Sequence, residues 1–199
     1  MCRACFEALP FVGRPFCGRC GAPTAFEVYG CGECRGRDFW FDGARAPLRY
    51  EGVGKELVHA LKYAGYTPVV EKAMAPLMTG LLDRGRFDGV VPVPLHRARM
   101  AKRGFNQAEL MARGVAERIN APVLDKLKVV RRTRDQVELS AEARRANVAG
   151  AFASRGPVAG GILLVDDVFT TGATLSECAG ILRKAGAKEV HALTLCRTC

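Results

Sequence analysis

With 199 residues and 49% hydrophobic content, the chain has material for one well-filled main domain and a small accessory one. A formal charge of +10, from 30 Lys and Arg against 20 Asp and Glu, points to a polyanionic partner or a phosphate-rich small ligand. No apolar run reaches the length of a membrane-spanning helix, so the expectation is a cytoplasmic protein without membrane insertion, whose nine cysteines are reduced thiols, metal ligands or core residues rather than disulfides.

Residues 1–42 differ from the rest. They hold Cys2-x-x-Cys5, Cys17-x-x-Cys20 and Cys31-x-x-Cys34, are rich in glycine and show little helical periodicity. A segment this small needs a staple, and two such knuckles bring four thiolates into tetrahedral reach of one Zn²⁺. Cys17, Cys20, Cys31 and Cys34 make the best set; Cys2 and Cys5 remain as a further pair, and Cys196-x-x-Cys199 has the same spacing. Phe39, Trp40 and Phe41 close the segment. Such a triplet either stacks on bases or packs the small region onto the large one, and packing is the expectation.

From residue 43 the pattern becomes α/β. A strand is expected over Leu48–Glu51 and a helix over Lys55–Tyr63, with His59 and Lys62 on or near it. A second helical pattern spans Val69–Leu82, kinked or bounded at Pro76. Asp88–Leu95 reads as a strand stopped by Pro92 and Pro94. A basic loop should follow, carrying His96, Arg97, Arg99, Lys102, Arg103, Asn106 and Gln107, of the charge that a pyrophosphate leaving group needs. A helix over 107–119 places Ala108, Met111, Ala112, Val115 and Ile119 on one face. Val129–Arg134 leads through Gln136 and Leu139 to a helix with Arg144, Arg145 and Asn147, then Phe152. The last unit is a helix over 173–185, with Leu175, Cys178, Ala179 and Leu182 inward, ended by Gly186 and followed by a strand over 190–195.

The chemistry concentrates in Ile162–Leu175, ILLVDDVFTTGATL. Ile162–Val165 reads as a parallel strand buried on both faces, with Asp166 and Asp167 at its carboxyl end, where open α/β sheets bind ligands. Two carboxylates cannot bind phosphate, but they accept hydrogen bonds from a vicinal diol. Thr170, Thr171, Gly172, Ala173 and Thr174 then turn into a helix, and their hydroxyls and first-turn N–H groups suit a phosphate. Ribose 5-phosphate offers a diol and a phosphate at that separation.

This stretch resembles the 5-phosphoribosyl-1-pyrophosphate (PRPP) motif of type I phosphoribosyltransferases. Taken with the CxxC knuckles, LKY, VPVPLHRARMAKRGFNQAEL and RRTRDQVELSAEARRANVAGAF, in that order, the chain resembles the ComF/GntX family over essentially its whole length. The resemblance implies a type I phosphoribosyltransferase-like parallel sheet flanked by helices over 43–199, behind a zinc-ribbon-like region over 1–42. It implies that Asp166 and Asp167 hold the ribose hydroxyls as catalytic residues. Thr170, Thr171, Gly172, Ala173, Thr174 and Arg103 would bind the phosphates, and Mg²⁺ would bridge pyrophosphate and ribose. It further implies a role in natural transformation, with single-stranded DNA and DNA-uptake proteins as partners. The alternative is a working transferase acting on a base or amine, for which the sequence specifies no acceptor site.

Overall fold

The computed structural model describes residues 3–63, 73–82, 87–131 and 141–199. Cys2, Arg132, Arg134, Gln136, Leu139 and the part of the expected second helix over 69–72 lie outside these residues, as do the side chains of Cys5, Arg144 and Arg145.

After a short helix α1 (Arg3–Glu7) the amino-terminal region runs through turns to β1 (Gly43–Arg45) and β2 (Leu48–Arg49). Then come α2 (Gly52–Tyr63), α3 (Ala75–Thr79), β3 (Gly89–Pro92), α4 (Arg97–Arg103) and α5 (Gln107–Ile119). The chain closes with β4 (Leu127–Val129), α6 (Ala141–Val148), β5 (Phe152–Ser154), β6 (Gly161–Phe169), α7 (Ala173–Lys184) and β7 (Glu189–Arg197). The main sheet has the order β1-β7-β6-β3, with β2 also pairing β7, and every pairing in it is parallel. A separate antiparallel pair, β4-β5, lies off it.

Alternation along β6 and β7 divides the core between two faces, because successive strand residues point to opposite sides. Ile162, Leu164, Val190 and Ala192 join Leu175, Cys178, Ala179 and Leu182 of α7. Leu163, Val165, Leu193 and Leu195 join Val58 and Leu61 of α2 and Met111, Ala112 and Val115 of α5. Cys17, Cys20, Cys34 and Phe41 belong to the α7 cluster, so the cysteine-rich region shares the core of the sheet it precedes.

Helix α5 starts where its sequence says: the Asn106 side chain accepts from the Ala108 N–H at 3.1 Å, and Asn120 closes the other end in the left-handed region. Pro76 sits in the first turn of α3, where a missing N–H is harmless. Two expectations are corrected. The basic stretch after β3 is not a loop: residues 97–103 form a helix, capped by His96, whose Nδ1 accepts from the Ala98 N–H at 3.2 Å, and ended by Gly104 at φ 81°. Its Arg, Ala, Met and Lys are good helix formers, yet none is buried, so no apolar stripe marked it. The strand carrying the acidic pair also does not stop at Val165. It continues to Phe169 because β7 extends alongside, pairing Val168 with Cys196 and Phe169 with Arg197.

Candidate functional site

Four sulfurs form the first cluster. The Sγ–Sγ separations are 3.7 Å for Cys17–Cys34, 3.6 Å for Cys20–Cys31 and 3.9 Å for Cys31–Cys34, and all four lie within 4.8 Å of one another. A tetrahedral ZnS₄ centre with bonds of about 2.3 Å has sulfur–sulfur edges of about 3.8 Å, so the set fits a structural zinc. The turn that aims the first knuckle is fixed by Gly21, at φ 72°, where a Cβ would lie 2.6 Å from the Ala44 carbonyl oxygen of β1. Burial raises the Cys17 thiol, but N–H groups of Cys20, Arg19 and Cys31 outweigh it and bring the thiol down to about 7. Burial pushes Cys20 and Cys34 upward, so a bound cation would have to draw off their protons. Cys196 does not join this cluster: it is buried in β7, with its thiol 3.5 Å from the Gly54 carbonyl oxygen, and burial holds it at about 12. Among the described residues this is the one group of potential ligands.

The second cluster is the acidic pair inside β6. Asp167 is 7% exposed; its Oδ2 accepts from Lys62 Nζ at 2.7 Å and from Gln107 Nε2 at 3.1 Å. Gln107 in turn accepts from Arg103 Nη1 at 3.1 Å, and the Arg103 guanidinium lies 5.5 Å from the Tyr63 ring centre. Asp166 accepts from the Asp167 N–H at 2.9 Å. Burial and the neighbouring Asp167 charge raise the Asp166 carboxyl to about 8, with the backbone N–H and Lys62 pulling the other way. Burial lowers Lys62, but the Asp167 charge outweighs it and keeps the ammonium protonated. Lys62, which is paired to Asp167, lines a cleft of about 170 Å³ with Tyr63, Lys102, Arg103 and Phe105. Arg103 is therefore tied to Asp167 through Gln107, whereas Arg97 is exposed on the same helix.

Two residues later the chain makes the loop into α7. Gly172 caps the helix at φ 75°, and a Cβ there would lie 2.7 Å from the Phe169 ring and 2.9 Å from the Phe39 ring, so only glycine fits. Thr171 Oγ1 accepts from the Ala173 N–H at 3.4 Å. Thr170, Ala173 and Thr174 complete the turn, in which the Ser176 N–H donates to the Gly172 carbonyl at 2.8 Å. The loop's entry is tied down from the end of β7: Thr198 N–H donates to the Phe169 carbonyl at 2.9 Å and its hydroxyl to the Thr170 carbonyl at 3.3 Å.

The aromatic triplet packs, as expected. Phe39 and Phe41 stack with ring centres 4.6 Å apart, both edge-on to Phe169. The Trp40 N–H donates to Ser176 Oγ at 3.1 Å, and its indole lies over Gly180, where a Cβ would be 3.2 Å from the ring. Trp40 is nonetheless 57% exposed. With Phe39, Thr171, Ala173 and Ser176 it borders a cavity of about 250 Å³ on the helix side of the loop.

The structure thus links Arg103 to Asp167 through Gln107, keeps Asp166 next to Asp167 in β6, and sets residues 170–174 directly after them. The sequence places Lys62 and Gln107 on or near helices but does not show their common partner. Both reach Asp167 from distant helices, and only the LKY and RGFNQ blocks hinted at them.

The Phosphoribosyl transferase domain family matches residues 101–198. The chain is 33% identical over 190 residues to DNA utilization protein YhgH of Salmonella typhimurium, covering 92% of this chain and 84% of that protein. It is 29% identical over 209 residues to Competence protein F of Haemophilus influenzae, covering 99% and 90%. It is 28% identical over 203 residues to Competence protein ComFC of Streptococcus pneumoniae, covering 99% and 87%.

Proposed function

The chain belongs to the ComF family of phosphoribosyltransferase-like proteins, and from that premise we propose that it binds PRPP, or a related phosphoribosyl ligand, at Asp166, Asp167 and the 170–174 loop, and handles single-stranded DNA during DNA uptake. The observation that carries this reading is the charge balance of the acidic pair. A buried carboxylate is expensive unless compensated, and Lys62 and Gln107 hold Asp167 on one oxygen only. Its other oxygen and the Asp166 carboxyl are left to accept from a ribose diol. The 5-phosphate then falls on the threonines and leading N–H groups of α7. Arg103 and Lys102 supply positive charge along the cleft for a pyrophosphate. Mg²⁺ would arrive with the ligand and offset pyrophosphate charge, and Zn²⁺ would be held by Cys17, Cys20, Cys31 and Cys34. On this reading residues 1–42 are the zinc region, residues 43–199 the ligand-binding domain, and the protein works in the cytoplasm alongside DNA-uptake proteins.

The DNA part draws on relatives whose names refer to competence and DNA utilization, on the +10 charge, and on an indole left open beside the loop. Phosphate contacts make such binding salt-dependent and nearly sequence-independent, and base stacking on Trp40 would add about 1–3 kcal/mol per base. The second reading, a transferase moving phosphoribose from PRPP to a base or amine, is favoured by the complete acidic pair and loop. Competition separates the two. PRPP with Mg²⁺ should displace a single-stranded oligonucleotide, and Thr171→Ala should weaken both ligands together. Absence of oligonucleotide binding at low salt, with release of pyrophosphate in the presence of an acceptor panel, would replace the DNA reading with the transferase one.

A further inference from the structure

Arg197, the last residue of β7, is 1% exposed. One of its terminal nitrogens donates to the carbonyl of Cys20, and the other donates to Glu33 Oε2 at 2.9 Å, between Cys31 and Cys34. Its guanidinium lies 5.2 Å from the ring centre of Phe169, the residue that leads into the 170–174 loop, and its Nε is buried with no partner among the described residues. The next residue, Thr198, holds the Phe169 and Thr170 carbonyls. One short segment therefore grips both cysteine knuckles on one side and the start of the loop on the other.

We propose that Arg197 is a positioning residue that couples metal occupancy of the four-cysteine site to the shape of the 170–174 loop, so that the metal and a phosphoribosyl ligand bind cooperatively. The coupling to PRPP rests on the preceding reading of the loop; the coupling between metal and loop shape does not. A buried guanidinium needs its acceptors, and losing one is strongly destabilising. Four thiolates around one Zn²⁺ carry a net charge of −2, which the adjacent guanidinium offsets. Without metal, nothing ties the four sulfurs together, and relaxation of the Cys20 and Cys31–Cys34 turns takes both acceptors from Arg197. Glu33 is free to leave, since its side chain is 43% exposed. The guanidinium then shifts from Phe169, whose ring abuts Gly172 closely enough to exclude a Cβ. The loop cannot keep its turn while that ring moves.

The test uses the full-length, zinc-loaded protein, with Arg197→Met, Arg197→Lys and Glu33→Gln. Hydrogen exchange at residues 170–175 should rise about tenfold on graded chelation of the wild type, while β3 and α5 stay protected. Zinc should tighten PRPP binding by a factor within about 5–150, and PRPP should raise the zinc affinity measured against a competing chelator by the same factor, as linkage requires. Arg197→Met should keep one zinc per chain, bind PRPP more weakly and lose the chelator response at the loop, with Arg197→Lys restoring part of it. If Arg197→Met fails to fold, Glu33→Gln should show the same loss in smaller measure. Loop exchange indifferent to chelation, or zinc-loaded Arg197→Met and Glu33→Gln both matching wild type, would overturn the coupling. A wild type that ignores PRPP would refute the ligand reading, and the exchange experiment would still decide the coupling.

Discussion

The thiol cluster and the carboxylate pair are both concentrations of potential negative charge, and they differ in where their countercharge comes from. The carboxylates draw on the fold: Lys62 arrives from α2 and Gln107 from α5, each fixed by its own buried helix face. The thiols face one another within 4.8 Å, and Cys17 receives backbone N–H groups of Arg19, Cys20 and Cys31. A site whose partners come with the fold is shaped before any ligand arrives, whereas a cluster of sulfurs takes its geometry from the cation. The two regions should therefore fail under different insults.

The largest effect should come from the metal. Purified protein should carry about one zinc per chain, and Cys17→Ser or Cys31→Ser should abolish it and disorder the amino-terminal region, given apparent binding energies of about 10–16 kcal/mol for zinc-dependent folds. Elemental analysis and circular dichroism check this; full structure in a zinc-free variant would dissolve the contrast. Leu164→Ala should do the reverse. Leu164 is fully buried in β6, so denaturant unfolding should show a loss of about 2–5 kcal/mol while zinc content in the native state stays at one. Gly172→Ala should cost about 1–3 kcal/mol, because a left-handed residue with a Cβ against Phe169 and Phe39 is strained. It should also remove the rise in melting temperature given by PRPP with Mg²⁺.

The last difference is a pH slope. The folded protein holds a proton on Asp166 up to about 8, above the ordinary carboxylate value, whereas the unfolded chain releases it near 4. Stability from this group therefore falls as pH rises from about 4 to about 8 and is flat above. Thermal melts of Asp166→Asn minus wild type should isolate that slope, and PRPP affinity should climb over the same window as the carboxylate becomes free to accept. A difference curve without slope would mean that Asp166 ionises normally.

Much of this fold is legible in the sequence because local and global signals agree. Asn106 caps α5, the Ala108–Met111–Ala112–Val115 face is buried, and Leu175, Cys178, Ala179 and Leu182 point into the core from α7. Helix α4 is hidden because its seven residues bury nothing and so leave no periodicity. The extension of β6 through Asp166–Phe169 depends on β7, a partner that no local pattern announces. The cysteine set is readable from spacing alone, but the ties that surround it are not. Lys62 to Asp167, and Arg197 to Cys20 and Glu33, join positions more than a hundred residues apart, and a cation's partner is invisible until the chain is folded.

The claim on which the functional account stands is that Asp166 and Asp167 receive the phosphoribosyl group. Calorimetric titration of zinc-loaded protein with PRPP and Mg²⁺ tests it most directly, comparing wild type with the Asp166→Asn/Asp167→Asn variant, which keeps size and hydrogen-bonding capacity while removing the carboxylates. The wild type should bind at one site per chain, and a double variant that still melts cooperatively should lose measurable binding. Equal affinity in both proteins would place the ligand elsewhere and contradict it.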